Sequence, residues 1–158
     1  MSFKTKFSNL GHPNKIWVVS AIHGELEKLV SVQQSIYEKF RPGDRLVYTG
    51  NYLGGANAKP VETLDELLHF RRTMMAKPGL FAEDIVYLRG MQEELFGKLF
   101  QIQFAPNAGQ IVDWMLKRHP DLDSVLKAYG TSLIELSRIT REGILNLTRW
   151  SVAFMNRI

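Results

Sequence analysis

Apolar positions fall into three short runs separated by longer stretches of helical period, and this alternation sets the first structural expectation. Ile16-Trp17-Val18-Val19-Ser20 is rich in β-branched and aromatic residues and reads as a buried strand. A helix over about 25–40 follows, with Leu26, Leu29, Val30, Ile36, Tyr37 and Phe40 on one stripe. Pro42-Gly43-Asp44 supplies turn chemistry, and Arg45-Leu46-Val47-Tyr48-Thr49 is the second strand. A glycine-bearing loop over 50–58 leads to Pro60, which suits the first turn of a helix. That helix runs to about Ala76 and stops before Pro78-Gly79. Ile85-Val86-Tyr87-Leu88 is the third strand, and a helix through Phe100 follows Arg89-Gly90.

Strands alternating with helices imply right-handed βαβ units and a parallel sheet, which is expected to be covered on both faces. From Asn107 onward the pattern is helical. Ile111, Trp114, Met115 and Leu116 mark one helix ended by Pro120. A single long helical stretch is then expected from 132 to the C-terminus, with Leu136, Ile139, Leu147, Trp150 and Phe154 along one side. That stripe reads most simply as core. Should a sheet face need cover, it also offers a surface for self-association or a protein partner. The expected fold class is α/β: a parallel-sheet core of about three strands with flanking helices and a helical C-terminal part. The 158 residues read as a single domain, with the core over 15–95 and the helical region over 107–158. Asn156-Arg157-Ile158 lies inside a helical pattern with no stop signal, which leaves open a chain cut from a longer protein.

Composition narrows the classes without choosing among them. The chain is 45% hydrophobic and 23% charged, as soluble globular proteins are. Cysteine is absent, which excludes disulfides and thiolate ligands and fits a reducing compartment. The charged N-terminal residues have no apolar run behind them, so no signal peptide is read. Nowhere do roughly eighteen apolar residues run together, so no membrane span is expected and the location is taken as cytoplasmic. The net charge of +4 comes from 20 Lys+Arg against 16 Asp+Glu and is spread along the chain. Its one compact basic group, Lys117-Arg118-His119, ends a helix, where cations are favoured by the helix dipole. A nucleic-acid partner is therefore not expected.

In an open parallel sheet, ligands bind outside the carboxyl ends of the strands. Here those ends carry Ser20-Ala21-Ile22-His23-Gly24, Gly50-Asn51-Tyr52-Leu53-Gly54-Gly55 and Arg89-Gly90-Met91-Gln92-Glu93. Glycine near each strand end lets the backbone turn sharply or approach a ligand. The three segments offer one imidazole, two carboxamides (Asn51 and Gln92) and one carboxylate, Glu93. Arg89 reads as half of an ion pair before an anion contact. Asn51 with Gly54-Gly55 matches neither the P-loop nor the dinucleotide fingerprint and reads as a structural turn.

The three segments resemble the first three signature blocks of the calcineurin-like metallophosphoesterases, in the branch of the phosphoprotein phosphatases and symmetrical diadenosine tetraphosphatases. Those blocks read Asp-x-His-Gly, Gly-Asp-x-x-Asp-Arg-Gly and Gly-Asn-His-Glu, each after a strand. This chain has Ala21-Ile22-His23-Gly24, Gly50-Asn51-Tyr52-Leu53-Gly54-Gly55 and Gly90-Met91-Gln92-Glu93 in the same order. The resemblance covers roughly residues 15–95 and implies the N-terminal half of that family's sandwich.

What the resemblance implies is mostly loss. Ala21 stands at a metal-binding aspartate, while His23 keeps a ligand's identity. Asn51 replaces the aspartate that bridges two metal ions about 3.5–4 Å apart. Gly54 and Gly55 replace the aspartate that orients the general acid and the arginine that clamps phosphate. Met91 replaces a metal-binding asparagine. Gln92 replaces the proton-donating histidine and removes a general-acid contribution of about 10²–10⁴-fold. Glu93 survives in a supporting role. Only His69 and His119 follow the second block, neither after a strand, so the later histidine ligands are missing. The resemblance thus implies a catalytically inactive relative, with no metal or other cofactor expected, that acts by binding protein or as a regulatory module. The alternative is a weak or rewired phosphoric ester hydrolase. It would use His23, Glu93 and Asn51 with a divalent metal (Mn, Fe or Zn), His23 and Asn51 being its candidate ligands.

Overall fold

The computed structural model describes residues 9–55 and 58–156; the N-terminal segment, positions 56–57 of the second loop and the last two residues lie outside it. The chain runs β1 (Ile16–Val19), α1 (Leu26–Lys39), β2 (Arg45–Tyr48), α2 (Pro60–Met75), β3 (Ile85–Tyr87) and α3 (Met91–Phe100). These elements are the α/β core expected from the apolar pattern, with boundaries shifted by a residue or two. The three strands form one parallel sheet in the order β1-β2-β3, registered through Val18, Val47 and Val86.

Both crossovers step in the same direction, so right-handedness places α1 and α2 on the same face. Side chains on that face agree. Gln33 of α1 donates to the Tyr48 hydroxyl at 3.1 Å, and the Tyr87 hydroxyl donates to the Leu67 carbonyl of α2 at 3.1 Å. The Tyr48 and Tyr87 rings stack with centroids 4.9 Å apart. Leu46 and Tyr48 on this face are wholly buried.

The opposite face departs from the expectation that both sides of the sheet be covered. Val47 in its centre is buried, but Ile16 and Val18 of β1 are 49% and 63% exposed. The reason is topological. A sheet wound in one direction receives its crossover helices on one side, whereas two covered faces need a reversal of winding.

The helical region comprises α4 (Ala108–Arg118), α5 (Leu122–Ala128), α6 (Leu133–Glu142) and α7 (Ile144–Met155). One addition and one correction arise here. The seven-residue α5 lies within the expected helical region, between the helix ended at Pro120 and the stretch from 132, where no separate helix was delimited. The single long helix expected from 132 is two helices, broken at Gly143 with φ 111° and ψ 169°, a backbone state open essentially only to glycine. Ser132 caps α6 by accepting from the Glu135 amide at 3.1 Å. The stripe Leu136, Ile139, Leu147, Trp150 and Phe154 is buried, and these residues join the strand side chains in one continuous hydrophobic cluster. Trp150 donates from its indole to the Thr131 hydroxyl at 2.9 Å, which satisfies its polar atom inside that cluster. Among the described residues, no helix is long and apolar enough to cross a membrane.

Candidate functional site

The loops after the three strands are laced to one another by backbone hydrogen bonds. The amides of Ile22 and His23 donate to the Asn51 carbonyl at 3.0 and 2.9 Å, and the Gly24 amide donates to the Tyr52 carbonyl at 2.8 Å. His23 and Asn51 adopt left-handed backbone with φ of 52° and 55°, a conformation that His and Asn reach more easily than most side chains. Gly50 is required where it stands. At φ 95°, a Cβ there would lie 2.0 Å from the Gly90 nitrogen.

Glu93 ties the second loop to the third. Its carboxylate accepts from the amides of Asn51 at 2.8 Å, Tyr52 at 2.9 Å and Gly90 at 2.8 Å. The Gly90 contact closes back over the first turn of α3, as the acidic member of a capping box does, where the helix dipole favours negative charge. Asn51 completes the lacing: its side-chain oxygen accepts from the Gln92 amide at 3.1 Å. The Tyr52 hydroxyl donates to the Leu88 carbonyl at 2.7 Å. Burial, and then the neighbouring Glu93 carboxylate, push the Tyr52 phenol well above its ordinary range.

Of the positions singled out by sequence, the structure brings His23, Asn51, Gly54, Gln92 and Glu93 together. Ala21 and Met91 are exposed at the rim. Gly55 abuts the first loop so closely that a Cβ would sit 2.5 Å from the His23 carbonyl oxygen. Gln92 is 2% exposed, its side-chain nitrogen donating to Asp121 Oδ2 at 2.9 Å and lying 3.4 Å from His23 Nδ1. Its side-chain oxygen meets no protein donor. Gly54 makes room for this amide: a Cβ at 54 would lie 2.7 Å from Gln92 Nε2 and 3.5 Å from Asp121 Oδ2.

Asp121 is a neighbour of this cluster that the sequence reading did not single out. It follows Pro120 and precedes α5, a position where an aspartate ordinarily caps a helix. No cap bond forms from its side chain, which reaches back to Gln92 instead. Arg89 meets Glu94 at 3.9 Å with both side chains mostly exposed, a loose surface pair. His119 packs against Trp114.

Chemically, the cluster offers an exposed imidazole, a buried neutral amide and two carboxylates that are already engaged. Among the described residues, no three His, Asp or Glu side chains converge as a metal-holding group. His23 borders a cleft of about 470 Å³ between β1 and α1, lined by Val18, Ala21, Glu25, Lys28, Leu29 and Val32 among others. A larger cleft of about 650 Å³ beside Phe104 and Trp114 includes none of the three loops. Comparison of the chain with family models, with curated proteins and with solved structures finds no match.

Proposed function

We propose that this chain is a catalytically inactive relative of the calcineurin-like phosphoesterases, working as a protein-binding or regulatory module. The observation that carries this reading is the Gln92 amide, buried at the strand ends and held by Asp121. At the position where the family's proton donor would stand, the side chain is a neutral carboxamide that exchanges no proton near neutral pH. The Asp121 carboxylate that holds it adds negative charge to the cluster, which disfavours an anionic substrate. Glu93 spends its lone pairs on three backbone amides and is already committed to structure. A dinuclear hydrolase needs several anionic ligands free to neutralise its cations, and this cluster supplies none uncommitted.

The test is metal content after purification, together with phosphoester hydrolysis in excess Mn²⁺. The expected result is no stoichiometric metal and no turnover above buffer. Two bound ions, or turnover that follows the metal and is lost in His23→Ala, would overturn the reading.

A further inference from the structure

We propose that β1 is a dimerisation edge, and that its occupant is β1 of a second copy, paired antiparallel about a two-fold axis at Val18. The inference stands on the geometry of this edge and does not depend on the loss of catalysis.

Hydrogen-bond parity along β1 is fixed by its partner. The carbonyls of Lys15 and Val19 accept from the amides of Arg45 and Thr49, at 2.8 and 3.0 Å. The alternation of a parallel ladder then turns the backbone of 15, 17 and 19 toward β2. Ile16, Val18 and Ser20 therefore direct both N–H and C=O away from the sheet. Their side chains are exposed as well, Val18 at 63%. Among the described residues no strand other than β2 pairs with β1. Such an edge is a template for another strand, and natural proteins blunt it with charge, proline, a bulge or, as the four residues of β1 do in part, brevity. Ile16-Trp17-Val18-Val19-Ser20 carries none of the first two, and its register with β2 is unbroken.

Three features favour a second copy over a foreign strand. First, the edge is its own complement. With Val18 opposite Val18 of the other copy, each exchanges both backbone bonds, and Ile16 does the same with Ser20 on either side. Second, the register avoids like charges although the chain is basic. Lys15 falls opposite Ala21, and the rim above carries Glu25 and Lys28 as a 3.3 Å pair, so each copy presents both signs. Third, a two-fold normal to the sheet keeps both α1 helices on one side. Each then faces the other across the cleft bordered by Leu29 and Val32 of α1, with Glu25 and Lys28 on its rim.

Sedimentation over a concentration series reads this directly. Wild type is expected to move from monomer to dimer. Val18→Pro removes two of the intermolecular bonds and no bond to β2, since proline is tolerated where a strand's N–H faces outward. It should raise the dissociation constant by roughly 30-fold or more while the far-ultraviolet dichroism stays unchanged. The cysteine-free background gives a second reading that does not rely on the proline variant. In Val18→Cys the paired Cα atoms would be about 5.5 Å apart, within disulfide reach, whereas Ile16→Cys would place its own copies too far apart to bond. Cross-linking of Val18→Cys and not of Ile16→Cys is the expected result. A wild-type monomer at every concentration overturns the proposal and leaves the edge to a foreign strand. Equal cross-linking of both variants, or a dimer indifferent to Val18→Pro, overturns it too.

Discussion

A carboxylate accepting three backbone amides, as Glu93 does from Asn51, Tyr52 and Gly90, cannot be exchanged for an apolar group without orphaning all three. Hydrogen bonds to a charged acceptor contribute roughly 1.5–3 kcal/mol each, and the amides can recover part of that from water. Glu93→Ala is therefore expected to lower the unfolding free energy by about 2–4 kcal/mol, measured by urea titration. Glu93→Gln keeps one acceptor oxygen but sets an NH₂ group against at least one amide donor, and should fall between the two. At His23 the backbone governs. With φ at 52° and the side chain exposed, replacement by glycine relieves left-handed strain and gives back chain entropy on unfolding, so the net change should stay within about 0.5 kcal/mol. His23→Val, β-branched at the same φ, should lose about 1–2 kcal/mol. Equal losses from the glycine and valine variants would show that the imidazole itself holds the loop.

Elements were legible where period and punctuation agreed. The runs 16–20 and 45–49 are dense in β-branched and aromatic residues, and α2 begins on Pro60 and ends before Pro78-Gly79. Where the two signals conflicted, the reading failed. The apolar stripe continues in helical phase from Leu136 to Phe154, and Gly143 inside it looks like a tolerated glycine. Its conformation is set by the packing of α6 against α7, which periodicity does not encode. Nothing lies within 4 Å of a Cβ built at Gly143, so any penalty there is purely torsional. Gly143→Ala is expected to destabilise the fold by about 1–3 kcal/mol in thermal or urea unfolding, despite the open space around it. A neutral result would mean that α6 and α7 can fuse into the continuous helix read from sequence. The site was half legible for the same reason. Its glycines and Glu93 announce themselves at strand ends, but Asp121 joins Gln92 from 29 residues away. No local pattern marks such a contact.

Across the whole molecule, covering the sheet on one face concentrates its aromatic polar groups there. Tyr48 and Tyr87 stack, Tyr52 meets Tyr87 edge to face at 6.2 Å, and the Tyr48 hydroxyl finds its partner in the buried Gln33 of α1. Burial is the chief cause that lifts all three phenols, Tyr87 to about 12 and the other two higher, from an ordinary value of 10.0. The consequence for stability has a definite sign. Below pH 10 both folded and unfolded chains hold these protons, and the contribution of the buried neutral phenols is fully present. Above it the unfolded chain releases them while the folded one retains them, so stability falls as pH rises. Each tyrosine adds a slope of at most about 1.4 kcal/mol per pH unit, less at Tyr52 and Tyr87 where water screens the partly buried hydroxyls. A progressive loss of stability is therefore expected between pH 10 and pH 12, with phenolate absorbance rising together with unfolding in a urea series. Tyr87→Phe keeps the stacked ring and removes one titrating group together with its bond to Leu67. It should lower stability at neutral pH by about 1 kcal/mol and flatten the alkaline slope by about a third. Phenolate appearing at ordinary pH well before unfolding would place these hydroxyls in water and break the link between sheet covering and alkaline stability.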